Sequence, residues 1–145
     1  MKKILCVCTG NICRSPMVEG ILRKRSEELG VPMQVASAGV SPYHVGENAH
    51  PLSVKIAQEY GVDISQHRAQ FFRIEFFDDY DWLLCMDNEH VDYLRKRARH
   101  VNDQSKIRLY RRDASIIADP YYGGEDDFRE MYHRLAEDSS YWVTR

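Results

Sequence analysis

Apolar residues along the chain come in two alternating kinds of run. Ile4-Leu5-Cys6-Val7 is a short, unbroken apolar run bounded by polar residues, and it predicts a strand over roughly Lys3 to Val7. A helix follows from Met17 to Leu29, stopped by Gly30 ahead of Pro32. Met33 to Ala38 alternates as a second strand and leads into a loop from Gly39 to Gly46. Leu52, Val54, Ile56, Ala57 and Tyr60 keep a mostly helical period across Pro51 to Tyr60, which Gly61 ends. Ser65 reads as the N-cap of a short helix through His67 and Ala69. Asp81 to Met86 has the length and apolarity of a strand, and Asn88 to Arg99 reads as a helix. Ile107 to Tyr110 is a fourth strand, and one closing helix is expected from Asp126 to Tyr141, with Phe128, Met131, Leu135 and Trp142 facing inward.

Strands that alternate with helices imply an α/β fold, a parallel sheet covered by helices on both faces. In such folds ligands bind where connections diverge at the carboxyl ends of the strands. The 145 residues, 43% of them hydrophobic, suit one domain over 1–145 with one substantial core. A net charge of −2, from 20 basic and 22 acidic residues, gives no overall attraction to nucleic acid or membrane. The basic runs Arg95 to His100 and Arg108 to Arg112 read as solvated surface in preference to a partner patch. No apolar stretch reaches the roughly 20 residues of a membrane span, and Met1-Lys2-Lys3 is followed by too few apolar residues for a secretory signal. A cytoplasmic protein is expected. Four cysteines make no disulfide framework, and Cys6, Cys8 and Cys13 lack the spacing of a metal site. Neither metal nor cofactor is called for.

The chemistry concentrates in Cys8-Thr9-Gly10-Asn11-Ile12-Cys13-Arg14-Ser15, between the first strand and the first helix. A strand-to-helix junction aims backbone N–H groups and the positive end of a helix dipole at one point, and so forms an anion site. Gly10 is expected to supply permissive dihedrals for the turn. Arg14 adds a planar, permanently charged fork that holds two phosphate oxygens, and its place at the helix end where cations are disfavoured suggests a bound anion. The same positive field favours the thiolate of Cys8, the form that attacks, and Ser15 can donate a hydrogen bond to it. A Walker loop is excluded because no Gly-Lys-Ser/Thr ending follows.

The string Val7 to Pro16 resembles the signature of the low-molecular-weight protein tyrosine phosphatases, and Asp119-Pro120-Tyr121-Tyr122-Gly123 resembles that family's second motif. Ser37-Ala38-Gly39, His67-Arg68-Ala69 and Leu84-Cys85-Met86-Asp87 match between them. The resemblance implies a three-layer sandwich around a four-stranded parallel sheet of order 2-1-3-4. It also implies phosphotyrosine hydrolysis, with Cys8 as nucleophile, Arg14 on the phosphate and Asp119 as general acid. By its residues alone Asp119-Pro120 reads equally as a turn initiator. The resemblance further implies that Asn11, Ser37 and His67 support the loop through hydrogen bonds with Ser15. Tyr43 and Tyr121 with Tyr122 would form opposite walls of a substrate slot, and Cys13 would be a resolving thiol that forms a reversible disulfide with Cys8. Cys13 is otherwise a small packed residue, and Cys6 and Cys85 read as core.

The implied partner is a phosphotyrosine protein, a bacterial tyrosine kinase being one candidate, with the enzyme monomeric or weakly self-associating. Two sibling chemistries share the loop. Protein-arginine phosphatases carry threonine where this chain has Ile12, and arsenate reductases relay oxidation through further cysteines, for which Cys85 has no thiol partner after it. A non-catalytic phosphotyrosine-binding module would be expected to lack Cys8, Arg14 or Asp119, and all three are present.

Overall fold

A computed structural model describes residues 1–145. In chain order the elements are β1 (Lys2–Cys8), α1 (Arg14–Leu29), β2 (Met33–Gly39), α2 (Pro51–Glu59), α3 (Phe76–Asp79), β3 (Trp82–Cys85), α4 (Asn88–Arg97), α5 (Val101–Lys106), β4 (Ile107–Leu109), α6 (Glu125–Glu137) and α7 (Ser139–Thr144). The four strands pair in parallel in the order β2-β1-β3-β4. β1 is central, and its register sets Cys8 opposite Gly39 and Val7 opposite Cys85.

Side chains on a strand alternate between faces, and the two cores follow that period. Ile4, Cys6 and Leu84 pack on one face with Met17, Leu22, Ile56, Phe128 and Trp142 from α1, α2, α6 and α7. Leu5, Val7, Leu83 and Cys85 pack on the other face with Phe77 and Leu94 from α3 and α4. Burial on both faces explains why β1 and β3 read as unbroken apolar runs. α1 ends as its sequence indicates, with Gly30 in the left-handed region at φ 67°.

Five segments differ from the sequence reading. No helix forms over 65–69. Asp63 Oδ1 accepts from Ser65 N at 2.9 Å, so Ser65 closes a turn, and the following backbone is drawn into long-range bonds: Ala69 N to Glu47 O at 2.8 Å and Gly39 N to Gln70 O at 2.9 Å. The expected closing helix is two helices broken at Asp138, whose carboxylate accepts from Arg112 N at 2.9 Å. That break turns Trp142 inward, and its Nε1 donates to Tyr110 O at 2.7 Å. α1 starts at Arg14 and not at Met17, so both Arg14 and Ser15 lie in its first turn. The short helices α3 and α5 were not anticipated, being four and six residues long with little periodicity to read.

Candidate active site

Cys8 is the last residue of β1, and the chain from it to Arg14 wraps back toward the start of α1. The wrap is tied down on three sides. Cys8 O and Thr9 O accept from Val40 N and Ser41 N at 3.0 and 2.9 Å, and Ile12 O accepts from His50 N at 2.8 Å. The left-handed residue of the loop is Asn11, at φ 58°, and not Gly10. Asn tolerates that region because its short side chain can hydrogen-bond locally. What glycine supplies at position 10 is room: a Cβ there would lie 2.8 Å from His44 Cδ2. Gly39 matters in the same way, since its Cβ would meet Thr9 O at 2.6 Å and Asn11 N at 3.1 Å.

Asn11 is fully buried and organises the loop. Its Nδ2 donates to Ser15 Oγ at 2.7 Å and Ser37 Oγ at 2.9 Å, and its Oδ1 accepts from Gln70 N at 2.9 Å. Ser37 passes its own hydrogen to Glu19 Oε1 at 2.6 Å. His67 Nε2 meets the carbonyl of Asn11 at 2.6 Å. Ser37 and His67 therefore support the loop through Asn11, and not by bonding Ser15 as the sequence reading proposed. Ser15 Oγ already accepts from Asn11, which leaves its hydrogen free for Cys8 Sγ, 2.9 Å away.

Arg14 is buried, at 3% exposure. Nη1 donates to Ile117 O at 3.0 Å and Nη2 to Thr9 Oγ1 at 3.1 Å, and the rest of the fork remains available to other acceptors. Two carboxylates offset a cation at a helix N-terminus: Asp119 Oδ2 lies 3.6 Å from Nη2 and Asp87 Oδ2 lies 4.0 Å from Nη1. Asp119 has the local geometry of a turn residue and a place beside the thiol. Its Oδ1 accepts from Tyr121 N at 3.1 Å, which starts a turn, while the residue also lines the cleft that holds Cys8.

That cleft has a volume of about 420 Å³, and Cys8, Ile12, Cys13, Arg14 and Asp119 line it. Tyr43, Tyr121 and Tyr122 all line it, with Tyr43 83% and Tyr122 97% exposed. His44 completes the wall, its ring 5.0 Å from that of Tyr43 and 6.0 Å from that of Tyr121. Cys13 is 4% exposed, and burial pushes its thiol titration well upward. Cys6 and Cys85 are buried in the sheet, as their sequence positions imply.

A second set of residues behind Arg14 escaped the sequence reading. His90 is fully buried on α4. Its Nδ1 accepts from Asp87 N at 3.1 Å, so the ring hydrogen sits on Nε2, which meets Thr9 Oγ1 at 2.9 Å. Thr9 Oγ1 therefore accepts from both His90 and Arg14 and sends its single hydrogen to Glu89 Oε1, 2.9 Å away. Burial, and secondarily the charge of Arg14, hold the His90 titration down at about 4. Only the Asp87 capping box, with Asp87 at the N-cap of α4 and His90 three residues on, is a local signal that could have pointed to His90.

Together these features set a thiol, a buried guanidinium and a carboxylate on one cleft of a parallel α/β sheet. Residues 3–145 match the family described as low molecular weight phosphotyrosine protein phosphatase. The chain is 36% identical over 137 residues to a low molecular weight protein-tyrosine-phosphatase of Streptomyces coelicolor, an alignment covering 88% of this chain and 83% of that one. It is 34% identical over 140 residues to the phosphatase of Sus scrofa, covering 92% and 88%. Among solved structures, Wzb of Vibrio vulnificus superposes with a TM-score of 0.89 at 30% identity, covering 99% of this chain and 97% of that one. The phosphatase of T. tengcongensis superposes with a TM-score of 0.90 at 32% identity, covering 99% of each. The chain belongs to the low molecular weight protein tyrosine phosphatases and is an enzyme of that class.

Proposed function

We propose that the enzyme hydrolyses phosphotyrosine through a cysteinyl-phosphate intermediate, without a metal. The observation that carries this reading is the convergence of Cys8, Arg14 and Asp119 on one cleft, with Ser15 Oγ 2.9 Å from the sulfur. Cys8 Sγ attacks phosphorus in line as the P–O bond to the phenol breaks. Arg14 and the loop N–H groups hold the equatorial oxygens, and Asp119 gives its proton to the leaving phenolate. A neighbouring phosphoryl dianion favours keeping that proton on Asp119 until transfer. Ser15 stabilises the sulfur as a leaving group in the second step. There water, deprotonated by the same carboxylate, attacks phosphorus and releases inorganic phosphate and the Cys8 thiolate.

Ile12, Tyr43, Tyr121 and Tyr122 supply apolar and aromatic walls suited to a phenyl ring. The Vibrio vulnificus relative was solved in complex with benzylphosphonate, a ring joined through one carbon to a phosphonate, which supports an aryl ligand here. Ile12 brings no hydroxyl to the cleft, which favours an aryl ester over phosphoarginine. Under oxidation by a peroxide, Cys8 would become a sulfenic acid that the Cys13 thiol attacks. That step forms a Cys8–Cys13 disulfide and expels water, protecting Cys8 from further oxidation. We take the substrate to be a phosphotyrosine protein, a tyrosine kinase among them, met in the cytoplasm by a monomer or weak dimer. No helix is long and apolar enough to cross a membrane.

The test is leaving-group dependence. Cys8→Ser is expected to abolish turnover. Asp119→Ala is expected to lose roughly 10²–10⁴-fold in kcat/KM on phosphotyrosine, whose phenolate needs the proton, and much less on p-nitrophenyl phosphate. Equal losses on both substrates, or inhibition by a chelator, would refute the mechanism.

A further inference from the structure

The basic runs Arg95 to His100 and Arg108 to Arg112 are separated by seven residues in sequence, and the tertiary fold brings arginines from both to one groove with Arg145. Arg95 from α4, Arg108 from β4, Arg112 from the following turn and Arg145 from the chain end all line one groove of about 520 Å³ along the outer edge of the sheet. β4 is an edge strand, paired only with β3. None of these four arginines is within ion-pair distance of a carboxylate, whereas the fifth arginine of the groove, Arg111, is engaged by Asp113, Glu137 and Asp138. Asp92 is the groove's own acidic residue.

Three of the free guanidinium groups are also held in place. Arg112 lies 3.8 Å from the centroid of Tyr141, Arg108 lies 5.2 Å from that of Trp82, and Arg145 lies 5.2 and 5.6 Å from those of Tyr141 and Trp82. Stacking restrains side chains that otherwise lose much rotamer freedom on binding; Arg108 Nη1 also donates to Ile107 O at 3.0 Å and Arg145 Nη1 to Tyr141 Oη, and the other N–H groups of each fork have no protein acceptor. Charge on an edge strand serves to block unwanted strand pairing, and Arg108 alone would do that. Blocking does not require three more arginines gathered from other elements.

Two of the groove's residues lie close in sequence to residues that touch Arg14. Asn88, one of its lining residues, follows Asp87, which lies 4.0 Å from Arg14 Nη1. Ala114, another lining residue, is three residues before Ile117, whose carbonyl accepts from Arg14. From Asn88 to Arg95 along α4 is roughly 10 Å, at about 1.5 Å per helical residue. An extended peptide covers that in about three residues.

We propose that this groove is a docking site for an acidic segment of the phosphoprotein substrate, with Asp or Glu residues starting about three to six positions from the phosphotyrosine. This rests on the reading of the site as a phosphotyrosine hydrolase and adds to it the class of protein sequence preferred.

The experiment compares phosphotyrosine peptides with and without an acidic run at that spacing, using the full chain and an Arg108→Gln/Arg112→Gln double variant. The acidic run is expected to lower KM about 10-fold with kcat unchanged, and the gain is expected to shrink to about 2-fold in the variant and at high salt. Turnover of p-nitrophenyl phosphate is expected to be the same in both proteins. Fluorescence anisotropy of an unphosphorylated acidic peptide provides a readout without catalysis: binding to the full chain that the variant loses would support the groove. Equal KM values for both peptides, with both hydrolysed, would overturn the groove and leave the hydrolase reading intact. Hydrolysis of p-nitrophenyl phosphate with no turnover of either phosphotyrosine peptide would overturn the hydrolase reading, and the proposal with it. Tighter binding of an RNA oligonucleotide than of the acidic peptide, or self-association that the variant abolishes, would assign the groove to nucleic acid or to a second copy instead.

Discussion

Asn11→Ala tests the claim that one buried side chain holds the phosphate loop in its working shape. The substitution removes hydrogen bonds of 2.7, 2.9 and 2.9 Å to Ser15, Ser37 and Gln70. Each is worth about 1 kcal/mol net, and leaving a partly buried Gln70 N–H unpaired adds about 1–3 kcal/mol. The two serines recover part of this through Cys8 and Glu19, to which they are already bonded. Alanine at φ 58° costs about 1 kcal/mol more than asparagine. The sum is on the order of 4 kcal/mol, and it falls on the loop because both flanking elements keep their own ladders and core contacts. Binding of vanadate or phosphate by isothermal titration, kcat/KM on p-nitrophenyl phosphate, and thermal unfolding separate loop from global effects. The expected result is a loss of about 10²–10³ in oxyanion affinity and kcat/KM, with a smaller change in Tm than a core truncation gives. Asn11→Gly relieves only the dihedral and is expected to recover about 5-fold. Full recovery in Asn11→Gly would refute the hydrogen-bond account, because it would mean that the dihedral alone mattered.

Other consequences follow from the same geometry. Gly39→Ala places a Cβ against loop backbone at 2.6 and 3.1 Å, so oxyanion affinity is expected to fall 10-fold or more, and wild-type affinity would show that the loop can shift freely. Thr9→Ser keeps the hydroxyl that accepts from Arg14 and is expected to stay within about 3-fold of wild type in kcat/KM. Thr9→Val is expected to lose about 10-fold or more, and equal behaviour of the two variants would exclude the hydroxyl. His90 titrates near 4 in the folded protein against an ordinary value of 6.5, so the unfolded chain takes up the proton first as pH falls. Stability due to this residue is therefore level above pH 6.5 and falls with pH down to about 4. His90→Gln is expected to flatten the dependence of the urea midpoint on pH in that window, and an unchanged slope would contradict the assignment.

The phosphate loop was legible in the sequence because its parts are contiguous: the strand, the turn and the first helical turn carry Cys8, Arg14 and Ser15 within eight residues. The sheet was legible for a similar reason, since strands buried on both faces leave unbroken apolar runs and helices leave their own period. Where the reading went astray, tertiary bonding overrode a local preference, as at residues 65–69, where Ala69 pairs with Gly46 and Glu47, and at Asp138, whose carboxylate is taken by Arg112. Asp119 was found 111 residues from Cys8 through a resemblance and not through its own residues, because Asp-Pro equally starts a turn.

By itself, then, the sequence determined the loop from Cys8 to Ser15, the alternation of strands and helices and the family, through patterns that lie along the chain. Only the tertiary structure decided what stands behind and beside that loop. β1 pairs with both β2 and β3, and this brings Gly39 against Thr9 and the start of α4 against Arg14. Hence Thr9, Glu89, His90 and Ile117 share one hydrogen-bonded set around a single guanidinium, although they span more than 100 residues. Parallel pairing requires long crossovers, so residues that meet at the carboxyl ends of the strands are necessarily remote in sequence, and no local pattern records their meeting.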